Sequence, residues 1–219
     1  MRPIVAEFVG TALLLVAIVG SGIMAQRLCG GNVGLALLAN AVATGGALVA
    51  LILAFGPVSG AHFNPAVTLA DAWQGGVSRS VVLPYVVAQL LGALFGVGLV
   101  DAMFGLPAFS ASHHERSGMA LLVSEFVATF GLLATIWGCA RSRPTATPYA
   151  VAAYIVGAYW FTPSMSFANP AVTVARSLTD TFAGIRPVDA PPFIVAQFLG
   201  AFAATALFAY LRANRLGPA

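Results

Sequence analysis

Two uncharged runs constrain the fold of this chain most strongly, because each is longer than one membrane-spanning helix. Residues Leu28–Ala70 and Pro144–Ala175 contain 43 and 32 residues without an acidic or basic side chain, whereas one span needs about 20 apolar residues. Four shorter runs fit one span each, with the third extended backward across Glu125: Phe8–Gln26, Ser80–Val100, Phe126–Ala140 and Ala190–Leu211. The pattern predicts a bundle of membrane-crossing helices in which each of the two long runs is interrupted by a break.

The composition excludes the usual water-soluble classes of protein. Only 8% of the residues are charged and 59% are apolar, whereas soluble domains carry about 25% charged residues. The ten basic residues are all arginines scattered along the chain, which argues against a nucleic-acid binder. Cys29 and Cys139 provide neither a disulfide framework nor the spacing of metal ligands. We therefore expect an integral membrane protein without a soluble domain, metal or cofactor.

Both long runs are interrupted by similar helix-breaking segments. Gly56–Gly60 ends a helix in the first run, and Thr162-Pro163 ends one in the second. Each break is followed by an Asn-Pro-Ala box, and the two boxes are Asn64-Pro65-Ala66 and Asn169-Pro170-Ala171. Asn is a favourable N-cap and Pro suits the first helical position, so each box predicts a helix start. Asp71 and Arg176 follow seven residues after each Asn, which predicts half helices that enter the membrane without crossing it.

The two halves of the chain repeat each other. Three pairs of segments match: Ala6–Thr11 with Ser124–Thr129, Asn64–Thr68 with Asn169–Thr173, and Val87–Ala93 with Val195–Ala201. Each unit holds three spans, an odd number, so the second unit is inverted relative to the first. The predicted fold is an all-α membrane protein with six transmembrane helices plus two re-entrant half helices. Residues 1–112 form the first repeat and 113–219 the second, and Asn64 meets Asn169 near the midplane.

The orientation follows from the distribution of arginines. With both termini in the cytoplasm, six arginines lie inside and four outside, a modest positive-inside bias. The inside set is Arg2, Arg79, Arg141, Arg143, Arg212 and Arg215, and the outside set is Arg27, Arg116, Arg176 and Arg186. We interpret the apolar segment after Arg2 as the first span rather than a cleaved signal peptide.

Two Asn-Pro-Ala boxes in an inverted repeat of three plus three spans resemble the aquaporin (major intrinsic protein) family. Ser59–Thr68 is very similar to the first box of that family, and the repeat covers almost the whole chain. The resemblance implies a passive channel rather than an enzyme, and a homotetramer in the lipid bilayer with one pore in each protomer. The second box continues with Val172 instead of Arg, which resembles bacterial aquaglyceroporins associated with arsenic resistance. That branch implies a bacterial inner membrane.

The resemblance also places a narrow selectivity filter at four positions. They are counted from the box asparagines and fall on Thr44, Gly157, Ser166 and Val172. Water-selective members typically carry Phe, His and Arg among these positions, and glycerol-conducting members carry two aromatic residues and the Arg. The four residues here imply a wide and uncharged filter in which two hydroxyl groups and backbone carbonyls are the polar groups.

The boxes predict how such a pore excludes protons. Each half helix brings about half a positive charge and unpaired N–H groups to the midplane. Donors on Asn64 and Asn169 would orient a passing water by its oxygen, so that proton hopping along the water file is interrupted while neutral molecules pass. The alternative is that both asparagines serve only as helix caps.

Glu7 and Glu125 lie at matching points within apolar spans, where a carboxylate needs a partner. One interpretation is a proton relay. The other, which we favour, is that each carboxylate accepts hydrogen bonds from the backbone of a re-entrant loop, because two loops related by the repeat need two related acceptors.

Two further residues are predicted to lie in the vestibules. His62 lies two residues before Asn64 and is expected to line the inner vestibule, where a pH-dependent gate is a weaker alternative. Arg176 lies one helical turn beyond Val172 toward the outer mouth. One interpretation is that Arg176 supplies a displaced positive charge at the outer mouth. The other, which is favoured, is that the side chains of Arg176 and of Asp71, the equivalent residue of the first repeat, extend to the membrane interface.

A wide uncharged filter predicts passage of neutral solutes with several hydroxyl groups. The expected solutes are arsenous acid and similar metalloid hydroxides, glycerol and, in addition, water. The alternatives are a general glycerol and water facilitator without an arsenic role and, less favoured, an ion-coupled secondary transporter, which also uses inverted repeats and broken helices. An enzyme is not expected, because the sequence has no Ser/His/Asp cluster, metal motif or cofactor loop.

Overall fold

The computed structural model describes residues 1–140 and 142–213, and within these ranges every regular element is a helix. Eight helices form the fold, and they are α1 (Arg2–Leu28), α2 (Val33–Ser59), α3 (Pro65–Trp73), α4 (Arg79–Phe104), α5 (Met119–Cys139), α6 (Thr147–Phe161), α7 (Pro170–Arg176) and α8 (Ala190–Ala213). Helix α1 contains one π-helical turn at Val16–Gly20. Of the arginines used to predict orientation, Arg141, Arg215 and the side chain of Arg212 lie outside the described part of the structure.

Among the described residues, five segments are long and apolar enough to cross a membrane. They are α1, α2, α4, α5 and Pro187–Leu211, which includes α8. Helix α6 contains 15 residues and continues a 3-10 turn at Pro144–Ala146, so it is only about 22 Å long. The sixth predicted span is therefore shorter than the other five.

The two half helices begin at the predicted boxes. The Oδ1 atom of Asn64 accepts a hydrogen bond from the Ala66 amide at 2.9 Å and caps α3. The Oδ1 atom of Asn169 accepts from the amides of Ala171 at 3.0 Å and Val172 at 3.3 Å and caps α7. The proline of each box occupies the first turn, where no backbone donor is needed.

The half helices run from the two boxes toward opposite faces of the molecule. Helix α3 leads within a few residues into the start of α4. The end of α7 lies beyond the other end of α4, where the Ser112 amide donates to the Ser177 carbonyl at 3.0 Å. Because α4 has 26 residues and is about 39 Å long, the two half helices end far apart. We call the side where α1 begins the N-terminal face and the other side the opposite face.

Small residues at equivalent positions bring pairs of long helices into close contact. A Cβ atom at Gly92 of α4 would lie 2.3 Å from the Phe8 carbonyl oxygen of α1. A Cβ atom at Gly200 of α8 would lie 2.4 Å from the Phe126 carbonyl oxygen of α5. Glycine at such positions lets helix backbones approach one another. Each half of the chain therefore contains one tightly packed helix pair, and the half helices pack between them.

Candidate functional site

A cavity of about 260 Å³ lies at the centre of the bundle and is lined by the asparagines of both boxes. One wall consists of apolar side chains from the long helices, namely Leu14, Ile18, Leu48, Leu132, Val151 and Ile155. The other wall is formed by the two re-entrant loops that precede α3 and α7. A solute in this cavity meets polar groups of the loops on one side, and on the helix side mainly apolar side chains together with the hydroxyl groups of Thr44 and Tyr159.

The backbone of both re-entrant loops is unusual. Ala61 and Phe63 have φ values of 50° and 49°, and Ser166 and Ala168 have φ values of 47° and 48°. Residues with a Cβ atom rarely adopt this left-handed conformation, which costs free energy unless the surroundings stabilise it. The same strain at matching positions of both loops indicates that external partners impose the conformation.

Glu7 is the main partner of the first loop. Its Oε1 atom accepts hydrogen bonds from the Ser59 hydroxyl at 2.6 Å and the His62 amide at 3.0 Å. Its Oε2 atom accepts from the Phe63 amide at 2.7 Å and from Nε2 of Gln89 at 2.7 Å. Four donors on one buried carboxylate compensate its desolvation and fix the loop against α1.

Glu125 makes the equivalent contacts in the second loop. It accepts hydrogen bonds from the amides of Phe167 and Ala168, both at 2.9 Å. Nε2 of Gln197 donates to Glu125 at 2.7 Å and to the Thr173 hydroxyl at 2.8 Å. This is the geometry expected of a loop-supporting acceptor.

The two boxes hold each other by reciprocal hydrogen bonds. Nδ2 of Asn64 donates to the Ala168 carbonyl at 2.8 Å, and Nδ2 of Asn169 donates to the Phe63 carbonyl at 2.8 Å. Each carboxamide has two N–H donors, so one donor of each asparagine is left for the cavity that both side chains line. The box residues Pro65, Ala66, Pro170 and Ala171 are buried around this junction.

Three of the four predicted filter residues line the cavity. Thr44, Ser166 and Val172 are buried side chains on its wall. The Thr44 hydroxyl lies 3.4 Å from the Tyr159 hydroxyl. The Ser166 hydroxyl has no hydrogen-bond partner within the described part of the chain. The structure therefore places Thr44, Ser166 and Val172 on the wall of one cavity.

Gly157 is a correction. Helix α6 lines the cavity with Val151, Ile155 and Tyr159, which follow one another at intervals of four residues. Gly157 lies between two of them on another face of the helix, and a Cβ atom there would contact Phe161 at 3.5 Å. Position 157 therefore does not contribute to the filter region, and the phenol ring of Tyr159 occupies the wall instead.

Arg176 is a second correction. Its side chain is only 1% exposed and does not extend to an interface. The Nε atom donates to the Ala183 carbonyl, and the guanidinium carbon lies 3.4 Å from the centre of the Phe167 ring. The Arg116 guanidinium lies 5.1 Å from the same ring centre. Because Arg176 also lines the cavity, its charge lies within the pore wall.

His62 lies on the wall of the N-terminal half of the cavity. Its Nδ1 atom lies 3.1 Å from the Thr68 hydroxyl, and its Nε2 atom lies 3.7 Å from a carboxylate oxygen of Asp71. Asp71 also lines the cavity. The Asp71 side chain, which is 20% exposed, therefore lies at the N-terminal end of the cavity.

Sequence reasoning missed four contributors to this site. Gln89 and Gln197 occupy matching positions in the repeat, and that match was the available signal for a shared role. Tyr159 was identifiable from the spacing of four residues along α6. Arg116 had no such signal, because it reaches the site from the loop between α4 and α5.

Comparison with known proteins gives concordant results. The sequence profile of the family described as "Major intrinsic protein" matches residues 1–166. The chain is 52% identical to the aquaglyceroporin AqpS of Rhizobium meliloti, over 96% of this chain and 90% of that protein. It is 32% identical to the aquaporin AqpM of Methanothermobacter marburgensis, over 94% and 96% of the two chains.

A solved structure shares the fold. The aquaglyceroporin from Plasmodium falciparum superimposes with a TM-score of 0.69 over 94% of each chain, at 19% sequence identity. This match confirms the predicted all-α membrane architecture.

Proposed function

The chain belongs to the major intrinsic protein family, and we propose that it forms a wide pore for arsenous acid and similar metalloid hydroxides as well as glycerol and water. The chain is an integral multi-pass membrane protein and a channel for small neutral solutes rather than an enzyme. The proposal concerns which solutes pass and which residues select them.

Val172 is the observation that carries the proposal. It follows the second box directly and lines the cavity, and it adds neither charge nor much bulk to the wall. Nearby polar groups are the hydroxyls of Thr44, Tyr159 and Ser166. Hydroxyl groups both donate and accept hydrogen bonds, so this lining suits a neutral solute with several hydroxyls. Arsenous acid and glycerol both have three.

The box asparagines support the exclusion of protons. Each has one N–H donor that is not used by the other box. A water that accepts these donors presents its hydrogens to both neighbours in the file and cannot receive a proton from either. Glu7 accepts four hydrogen bonds and Glu125 accepts three, from the re-entrant segments and from Gln89 and Gln197, which favours a positioning role over a proton relay.

The assembly and orientation belong to the same proposal. Residues 1–112 and 113–219 would form two inverted repeats in a bacterial inner membrane, with the N-terminal face in the cytoplasm. Exposed apolar side chains such as Leu83, Leu91 and Val195 face away from the bundle, as contact with lipid or with neighbouring protomers of a homotetramer requires.

The test is stopped-flow light scattering on proteoliposomes, with water, glycerol and arsenous acid as solutes. Val172→Arg should lower the glycerol and arsenous acid permeability more than the water permeability, because it adds bulk and charge to the wall. Val172→Leu is the matched control, since it adds bulk alone. Unchanged passage of the two larger solutes through Val172→Arg would refute the proposed filter.

Comparing the fluxes of glycerol and arsenous acid distinguishes the two hypotheses for the channel. A chain that passes glycerol but not arsenous acid is a general glycerol and water facilitator. An ion-coupled transporter would show saturable flux that depends on an ion gradient, whereas a channel shows linear flux without one. The carboxylates of Glu7 and Glu125 are engaged by the re-entrant loops and by Gln89 and Gln197, which argues against their use as ligands of a coupling ion.

A further inference from the structure

The two half helices carry opposite charges at equivalent positions. Asp71 and Arg176 each lie seven residues after the asparagine of their box, and His62 and Phe167 each lie two residues before it. Within each half of the chain, the residue before the box also contacts the charged residue after it. His62 lies 3.7 Å from Asp71, and the Arg176 guanidinium lies 3.4 Å above the Phe167 ring. The cavity thus has an acidic group toward the N-terminal face and a basic group toward the opposite face.

The guanidinium of Arg176 is incompletely paired. Its Nε atom donates to the Ala183 carbonyl, but Nη1 and Nη2 have no hydrogen-bond partner within the described part of the structure. Both nitrogens are buried in a side chain that is 1% exposed. Buried donors on a charged group are costly to leave unpaired. Their presence on a cavity wall therefore indicates a ligand that supplies acceptors.

The neighbouring charged groups do not satisfy Arg176. Arg116 lies 5.1 Å from the centre of the Phe167 ring and donates to the carbonyls of Gly184 and Ser164. Glu125 is occupied by the second loop and Gln197. Among the described residues no carboxylate forms an ion pair with Arg176. The positive charge at this end of the cavity is therefore uncompensated.

A second unpaired group lies on the same cavity wall. The Ser166 hydroxyl is buried and has no partner in the described structure. Phe167 follows it directly and carries the guanidinium on its ring. Two guanidinium nitrogens and one hydroxyl group with unused hydrogen-bonding capacity therefore belong to residues that line the same cavity.

We propose that Arg176 is the charge-selecting residue of the pore, where it excludes cations and donates hydrogen bonds to an oxygen of a passing neutral, hydroxylated solute. It acts one helical turn beyond Val172 on the same half helix. The Phe167 ring and the Ala183 carbonyl hold the guanidinium in place. This inference rests on the proposed channel function and adds a selecting residue to it.

The experiment compares cation leak and glycerol flux in the same proteoliposomes. Arg176→Gln should raise K⁺ leak by at least about tenfold, because removing a buried positive charge lowers a large electrostatic barrier. Arg176→Lys should keep the K⁺ leak at the wild-type level and change the glycerol flux, because lysine retains the charge but loses the planar pair of donors. Arg27→Gln, at an exposed arginine outside the cavity, should match the wild type in both measurements.

A second variant covers the case in which Arg176→Gln does not fold. Val172→Glu leaves Arg176 in place and sets a carboxylate one turn away, where it can pair with the guanidinium. It should also raise K⁺ leak. Glycerol flux through the wild type together with unchanged K⁺ leak in Arg176→Gln or Val172→Glu would overturn the role of Arg176. Absence of glycerol flux through the wild type would instead refute the proposed channel.

Discussion

Nδ2 of Asn64 donates a 2.8 Å hydrogen bond to the carbonyl oxygen of Ala168, the residue before the other box. The reverse bond, from Asn169 to Phe63, has the same length. Each asparagine therefore caps its own half helix through its oxygen and joins the other loop through its nitrogen. The side chain that lines the cavity is held at both ends, so its remaining N–H points in a fixed direction.

Asn64→Asp should damage proton exclusion. The variant keeps an oxygen to cap α3 but loses the donor to Ala168 and the donor toward the cavity. It also adds a negative charge that attracts cations. We expect faster acidification of proteoliposomes that contain a pH-sensitive dye, after an imposed pH step.

The control for this prediction is Asn32→Asp. Asn32 is an exposed N-cap that accepts a hydrogen bond from the Leu35 amide at 3.0 Å at the start of α2. It lies outside the cavity wall and should leave the proton leak unchanged. Equal leak in Asn64→Asp and the wild type would contradict the assigned role of the box.

Glu7→Gln should destabilise the fold. The amide places two donors where the structure requires acceptors for Ser59, His62 and Phe63. We expect a loss of about 3 kcal/mol in stability, the scale of a broken buried charged network, and a clear decrease in the melting temperature in detergent.

Glu115→Gln is the matched control for Glu7→Gln. Glu115 is exposed and lies 3.2 Å from Arg186 at the surface, where an ion pair contributes less than about 1 kcal/mol. Similar melting temperatures for the two variants would show that the Glu7 carboxylate does not hold the first loop.

Gly92→Ala should disturb the contact between α1 and α4. Its Cβ atom would lie 2.3 Å from the Phe8 carbonyl oxygen, and a backbone atom cannot move aside as a side chain can. Overpacking of this kind costs about 1–3 kcal/mol, which thermal unfolding in detergent would detect.

Gly46→Ala is the matched control for Gly92→Ala, and it is expected not to destabilise the fold. Gly46 lies within α2 and has no atom within 4 Å of a built Cβ, so alanine should be neutral or slightly stabilising through its helix propensity. Equal destabilisation by both variants would mean that the close contact at Gly92 is not the cause.

Cysteine labelling can decide which face of α6 lines the pore. In a background with Cys29 and Cys139 replaced by serine, Tyr159→Cys should react with a small methanethiosulfonate reagent and lose solute flux. Gly157→Cys should keep its flux after the same treatment, because that face points toward Phe161. Block of flux at position 157 alone would restore the original filter assignment.

Local chemistry was enough to predict the fold. The Asn-Pro-Ala boxes determine where each half helix begins, and the glycine at position 60, with its φ of 86°, ends α2 before the first box. These features act within a few residues of themselves. The repeat then determined the inversion, because an odd number of spans reverses the second unit.

The parts that were predicted wrongly depend on tertiary contacts. The rotation of α6 sets whether position 157 or 159 lines the cavity, and packing against α2 decides it, since Val156 lies against Gly45. The burial of Arg176 depends on the segment after α7, whose Ala183 carbonyl accepts its Nε donor. No periodicity within a seven-residue helix contains that information.

The carboxylate networks and the reciprocal box bonds differ in what they require during biosynthesis. Every partner of Glu7 lies before residue 90, so the ribosome has already released all parts of that brace when the first three long helices have been made. Asn64 has to wait for Ala168, 104 residues later. The nascent chain can therefore form each loop separately, but the junction between the two boxes forms only after the second re-entrant loop has been inserted.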